Sequence, residues 1–144
     1  MSRENVEIVR RFHPGGGTDL VALLHDEAAL TGVLGAVAPF LEPDFTLDTV
    51  MLGQRVRYMG LAGFRQAWLD WLAPWSSYYD ELEEAVDLGN RVMLVGHHRG
   101  RPRGADAEVE MFAAAIYTVK EGRVSHVEYY TDRAEALEAA GLPG

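Results

Sequence analysis

The second half of the chain is what most constrains the fold. Four extended stretches, at 77–88, 91–99, 107–119 and 123–131, follow one another with turn signals between them: Gly89-Asn90, the loop "GRPRGAD", and "KEG" ending in Gly122. Glycine supplies the positive φ that tight hairpins require, so the stretches read as an antiparallel meander. A helix closes the run over "DRAEALEAAG". Asp132 is its N-cap, Glu135 stands three residues on as in a capping box, and Gly141 ends it.

The first half is mainly helical. Ser2 is placed to cap a helix with Val6, Ile8, Val9 and Phe12 on one face, and "HPGGG" at 13–17 stops it. A Thr18/Asp19 cap restarts the pattern, and two short helices are expected within 19–41, with Gly32 between them. "FTLDTV" at 45–50 alternates as a strand, and "RVRYMG" at 55–60 reads as a second short one. "GLAGFRQAWLDWLAPW" then sets Leu61, Phe64, Trp68, Trp71, Leu72 and Trp75 on one helical face, ended near Pro74. Such a tryptophan stripe reads first as core. Helices first and a curled antiparallel sheet afterwards predict an α+β domain, with the helices on one face of the sheet. No repeat or linker divides 1–144, so one domain is expected.

Composition narrows the function classes. At 144 residues, with 48% hydrophobic and 24% charged side chains, the chain can bury a sizeable core without metal or disulfide. It has no cysteine, which excludes thiol catalysis and cysteine zinc sites and suits the cytoplasm. The formal net charge of −9 is spread along the chain with no basic cluster, which argues against nucleic acid and against an anionic membrane surface. "MSRENVEIVRRF" lacks the apolar core of a signal peptide, and the longest apolar run, "VLGAVAPFL" at 33–41, is half the length needed to cross a bilayer. No residue pattern calls for a cofactor.

Alternation along the strands tells which side is buried. In 109–119 the odd residues Val109, Met111, Ala113, Ala115, Tyr117 and Val119 face inward, opposite Glu108 and Glu110. In 91–99 the even set, with Leu94, Gly96 and His98, is inner; in 123–131 it is Val127, Tyr129 and Thr131; in 45–50 it is Phe45, Leu47 and Thr49, with Asp48 outer. The inner surface is therefore apolar, small at Gly96, Ala113 and Ala115, and faced by Phe12 and the Trp68 helix. An apolar concavity with a few converging polar groups describes a small-molecule pocket. Alternatively the helix tryptophans fill the space above the alanines, since open cavities in cores are costly. If the space is open, Phe12, Thr49, Trp68, Leu94, Met111, Ala115, Tyr117, Tyr129 and Thr131 are its expected ligand-binding residues.

His98 is the leading candidate for chemistry, because an imidazole can act as acid or base near neutral pH. A hydrogen-bonded structural histidine is the plainer alternative. His97 and His98 do not form a metal site, since neighbouring strand residues point opposite ways. Glu108, Glu110, His126 and Glu128 read as an outer polar surface.

The stretches "SRENVEIVRRF", "FLEPDFTLDTV", "GLAGFRQAWLDWLAPW", "DLGNRVMLVGHHRGRPRGADAEVE" and "YTVKEGRVSHVEYYTDRAEALEAAGL" resemble the SnoaL-like group of the nuclear transport factor two-like superfamily. The last is the most specific, and the likeness covers nearly all of the chain. The resemblance implies a cone-shaped bent sheet around helices, a central cavity and often a homodimer. It also implies that 25–38 is longer than the usual connection. Ketosteroid isomerases, polyketide cyclases, hydrolases, dehydratases and non-catalytic binders all share this fold, so fold alone does not settle function. Against the isomerases, which pair an Asp base with an oxyanion hole of Tyr and a protonated Asp, the protonated carboxyl falls on Ala115. The base falls on or beside Thr49, next to Asp48, and the tyrosine near Phe12. The expected function is binding of an apolar or aromatic small molecule. The alternatives are an isomerase, cyclase or hydro-lyase using His98 or Asp48, and a structural partner domain.

Overall fold

Residues 2–143 are described by a computed structural model with helices and strands in the order α1 (Ser2–Arg10), α2 (Leu20–His25), α3 (Glu27–Val37), β1 (Leu41–Met51), β2 (Gln54–Met59), α4 (Gly60–Leu72), β3 (Trp75–Asp87), β4 (Arg91–Pro102), β5 (Val109–Lys120), β6 (Arg123–Tyr130) and α5 (Arg133–Ala140). The cap expected of Ser2 rests on a side chain outside those described.

The meander forms as read, with β3, β4, β5 and β6 paired antiparallel in sequence order. β1 and β2 add the other edge, giving a single sheet in the order β2-β1-β6-β5-β4-β3. The sheet is not wholly antiparallel: β1 runs parallel to β6, with Thr46 opposite His126 and Thr49 opposite Tyr129. Alternation carries no information about strand direction. The parallel pair is reached through the long crossover of α4 and the meander.

The tight turns lie in left-handed backbone. Gly89 (φ 90°) and Gly122 (φ 80°) do so as expected, and Leu52 and Glu121, both at φ 51°, join them before Gly53 and Gly122. Asp26, not Gly32, separates the two short helices. Its carboxylate accepts from Ala29 N at 3.1 Å and starts α3, while its own N–H bonds Leu23 O at the end of α2. Gly32 lies within α3, where glycine is tolerated at a cost of about 1 kcal/mol. Asp19 caps α2 and also accepts from Tyr78 N at 3.2 Å, tying the start of that helix to β3.

The two faces of the sheet carry separate cores. Val92, Leu94, Ala115, Tyr117 and Val127 pack with Val9, Phe12, Phe45, Leu47 and Phe64 beneath α1 and α4. The opposite parity, Met93, Val95, Ala114 and Ile116, packs against Ala136 and Ala140 of α5. The helices are thus not confined to one face. The apolar outer set of β4 and β5 needs a cover, and α5 provides it, with Arg91 donating to Ala139 O at 2.9 Å. The small Ala114 is explained on that side, while Ala113 and Ala115 face inward.

Candidate functional site

Two bulges place a charged residue inside the sheet. Register shifts in β3 between Trp75 and Ser77 and between Leu82 and Glu84 leave Tyr78, Asp80 and Leu82 opposite Gly100, His98 and Gly96, all on the inner face. Beyond the second shift the parity inverts, so that Ala85 faces the inner core and Val86 the outer one. His13 arrives from the other side. Three short-range bonds, from the N–H groups of Arg11, Phe12 and His13 to the carbonyls three residues back, tighten the chain after α1. Pro14 ends the turn.

The two imidazoles meet one carboxylate oxygen: Asp80 Oδ1 is 3.2 Å from His13 Nε2 and 3.1 Å from His98 Nε2. The far side of each ring fixes its tautomer. Trp71 Nε1 donates to Tyr78 Oη at 2.9 Å, so the Tyr78 proton goes to His98 Nδ1 at 2.7 Å and leaves the His98 proton on Nε2. Gly15 N donates to His13 Nδ1 at 3.1 Å, with the same result. Both Nε2–H groups therefore face Asp80. Burial pushes the Asp80 carboxyl up, but the contacts with His13 and His98 outweigh it and hold it well below the ordinary carboxylate range. Gly96 makes room for this group: a Cβ there would stand 2.6 Å from Asp80 Oδ1 and 3.0 Å from His98 Nε2.

Around the cluster lies a pocket of about 40 Å³. Its walls are Phe12 and Pro14 above, Trp68 and Trp71 from α4, and Leu82, Leu94, Ala113, Ala115, Tyr117 and Tyr129 from the sheet. Tyr129 packs edge-on against Trp68 and Trp71 at 5.9 Å each, and Tyr117 lies tilted against Phe12 at 5.5 Å. Burial pushes both tyrosine hydroxyls up, so they act as donors. His13 Nε2 and His98 Nε2 are the electrostatic partners of Asp80 Oδ1, while Tyr129 Oη is a buried hydroxyl without a hydrogen-bond partner, and all four residues line the pocket.

Of the residues expected at the site, Phe12, Trp68, Leu94, His98, Ala115, Tyr117 and Tyr129 lie on this wall. Thr49, Met111 and Thr131 do not line it. Thr49 is buried beside Tyr129 in the sheet, Met111 packs against the cluster of Leu20, Val21, Leu72 and Tyr78, and Thr131 follows the end of β6. Asp48 is on the opposite face, fully buried, with both oxygens taken by Arg57 (2.8 and 3.0 Å) and Arg55 (2.7 Å). Those guanidiniums hold its carboxyl below the usual range against the effect of burial. His126 and Glu128 bring ligand-type atoms within 4.8 Å of it, but the arginines already supply the positive charge a metal would bring. Glu108 and Glu110 pair separately, with Arg99 and His97.

The sequence reading missed Asp80, His13 and Trp71 as site residues. Asp80 had a usable signal, because Tyr78, Asp80 and Leu82 alternate with Tyr79, Glu81 and Glu83, and the less charged set is the inner one. His13 had none, since it belongs to a turn without periodicity.

An α+β cone with a polar cluster at the base of an apolar pocket defines a class, and comparison with known proteins names the family. The SnoaL-like domain profile matches residues 7–127, and the chain belongs to that family. Solved structures agree in fold. A candidate SnoaL-like polyketide cyclase from Jannaschia sp. is 18% identical with a TM-score of 0.68, the match covering 99% of this chain and 95% of that one. An NTF2-like protein of unknown function from Burkholderia pseudomallei is 17% identical with a TM-score of 0.65, covering 94% and 95%. A protein from Catenulispora acidiphila with a ketosteroid isomerase-like fold, solved with trimethylamine, is 18% identical with a TM-score of 0.59, covering 86% and 93%. No curated protein matches.

Proposed function

We propose that this protein binds a small, largely apolar carbonyl compound in the pocket and moves a proton on it, as an isomerase, cyclase or hydro-lyase of the SnoaL-like family does. The observation that carries this reading is the buried Asp80 carboxylate, faced by two imidazoles at 3.1–3.2 Å, together with the unpartnered Tyr129 hydroxyl in the same apolar pocket. A buried polar group without a partner costs about 1–3 kcal/mol, so the Tyr129 hydroxyl marks a bond for a ligand to supply. His13 Nε2–H and Tyr129 Oη–H are donors, suited to a carbonyl oxygen on which negative charge develops. Asp80 Oδ1 is an acceptor, suited to the proton removed from the adjacent carbon. In the empty pocket Asp80 is a weak base, because two imidazoles face it. A carbonyl oxygen that draws the His13 N–H away removes one of them and raises its basicity.

Deuterium exchange at the carbons flanking the carbonyl of 4-phenyl-2-butanone, followed by NMR in D2O, tests this. The wild type is expected to accelerate exchange over buffer, and Asp80→Asn to remove roughly 10²-fold or more of that acceleration. Exchange no faster than buffer, or Asp80→Asn matching the wild type, sinks the catalytic reading.

Binding without turnover is a second reading, favoured by the aromatic walls. Trp68, Trp71 and Tyr129 line the same pocket as the Asp80 carboxylate, a combination that suits an organic cation, and the Catenulispora relative was solved with trimethylamine. Tight trimethylammonium binding with no exchange activity would select it. A single-domain homodimer in the cytoplasm fits either reading. Family likeness supports the dimer, and the lack of cysteine suits that compartment. Among the described residues no helix is long and apolar enough to cross a membrane.

A further inference from the structure

The inner pocket does not stand alone. A second chamber lies under α2 and α3 against α4, and Phe12, His13, Pro14 and Trp68 line both spaces. The two differ in size: the outer chamber has a volume of about 220 Å³ and the inner pocket about 40 Å³. The inner pocket is therefore much the smaller space and takes only a compact part of a ligand. An apolar cavity of about 150 Å³ is known to hold benzene, so the outer chamber has room for a ring.

The chemistry of the two spaces differs as well. Asp80, His98 and Tyr129 belong to the inner pocket alone, and of the polar cluster only His13 also borders the outer chamber. The outer wall is mainly leucine, valine and aromatic side chains, and its charged Arg11 is exposed to solvent and lies over Phe40 at 5.1 Å. Away from Arg11 and His13 the wall offers a ligand only apolar contact. The partition itself is short. His13 and Pro14 are followed by three glycines, of which Gly15 is at φ 93° and Gly17 has nothing within 4 Å of a would-be Cβ. A loop of this composition can shift without dragging a helix with it.

We infer that the ligand spans both chambers: a compact oxygen-bearing head sits at Asp80, and an uncharged ring or short branched chain occupies the space under α3, the two joined past Trp68 and Pro14. This rests on the reading above for the head, and it adds the substrate class. The substrate is a monocyclic or short-chain ketone with an apolar arm, not a fused polycycle seated in the inner pocket.

Ligand-observed NMR titrations with 2-butanone and 4-phenyl-2-butanone test the arm separately from the head. The wild type is expected to bind the phenyl ketone at least tenfold more tightly. Val33 and Ala36 line only the outer chamber and are exposed, so Val33→Trp and Ala36→Trp plug it without disturbing the core. Either variant is expected to weaken the phenyl ketone about tenfold and leave 2-butanone unchanged. Equal affinity of the two ketones for the wild type, no binding of either, or an unchanged phenyl ketone in both plugged variants overturns the inference. Loss of the arm preference with proton exchange intact would overturn it alone. Loss of exchange with the preference intact would overturn the reading of the head alone.

Discussion

Gly96 is what allows a carboxylate on one strand to lie against an imidazole on the next. With a Cβ 2.6 Å from Asp80 Oδ1, Gly96→Ala must push the Asp80 side chain off His98. Overpacking of this kind costs about 1–3 kcal/mol, which a urea titration will read, and the proton exchange assigned to Asp80 is expected to fall with it. Full exchange activity in a folded Gly96→Ala would show that the contact is incidental. At this scale the sequence was legible wherever strand parity held. His98, Ala115, Tyr117 and Tyr129 were placed on the inner face by counting residues, and the structure puts them there. Asp80 was legible by the same count. Thr131 was misplaced because β6 stops at Tyr130, before parity could carry it inward.

At the scale of elements, the hairpin between β1 and β2 keeps a strain that the fold does not need. Leu52 is 99% exposed at φ 51°, a conformation in which a non-glycine side chain other than Asn or Asp pays about 1–2 kcal/mol. Leu52→Asn is therefore expected to raise stability by roughly 1 kcal/mol. A thermal melt that moves down instead would mean that Leu52 makes a contact in solution. The meander and α5 were readable because each is set by neighbours in sequence: Gly turns, and the Asp132 cap with its 3.0 Å bond to Glu135 N. The bulges in β3 and the parallel pairing of β1 with β6 were not. They depend on where distant strands settle, and no local residue signals that. The break at Asp26 was read at Gly32 because glycine was taken for a helix stop, whereas a side-chain cap does the work.

At the scale of the whole molecule, the fully buried Asp48 joins β1 to β2 electrostatically on the outer face. Its carboxyl titrates below the ordinary range when folded. The unfolded chain therefore binds more protons than the folded one as pH falls toward and below about 4, and stability must drop there. Stability from this group is complete above that pH and is lost as pH passes down through the folded value. Urea midpoints measured between pH 6 and pH 3 are expected to decline, and Asp48→Asn, though weaker at pH 6, is expected to lose less over that interval. An identical slope for both would remove Asp48 from the acid response.

The parallel seam has a consequence for how the protein is made. Thr46 waits for His126, which leaves the ribosome only after eighty more residues. Until then the β1–β2 hairpin has an open flank, and contacts this remote slow the search for the native state. Nascent chains halted short of β6 should accordingly be held by chaperones, and release of the final segment should be the moment at which β6 fills the gap between β1 and β5.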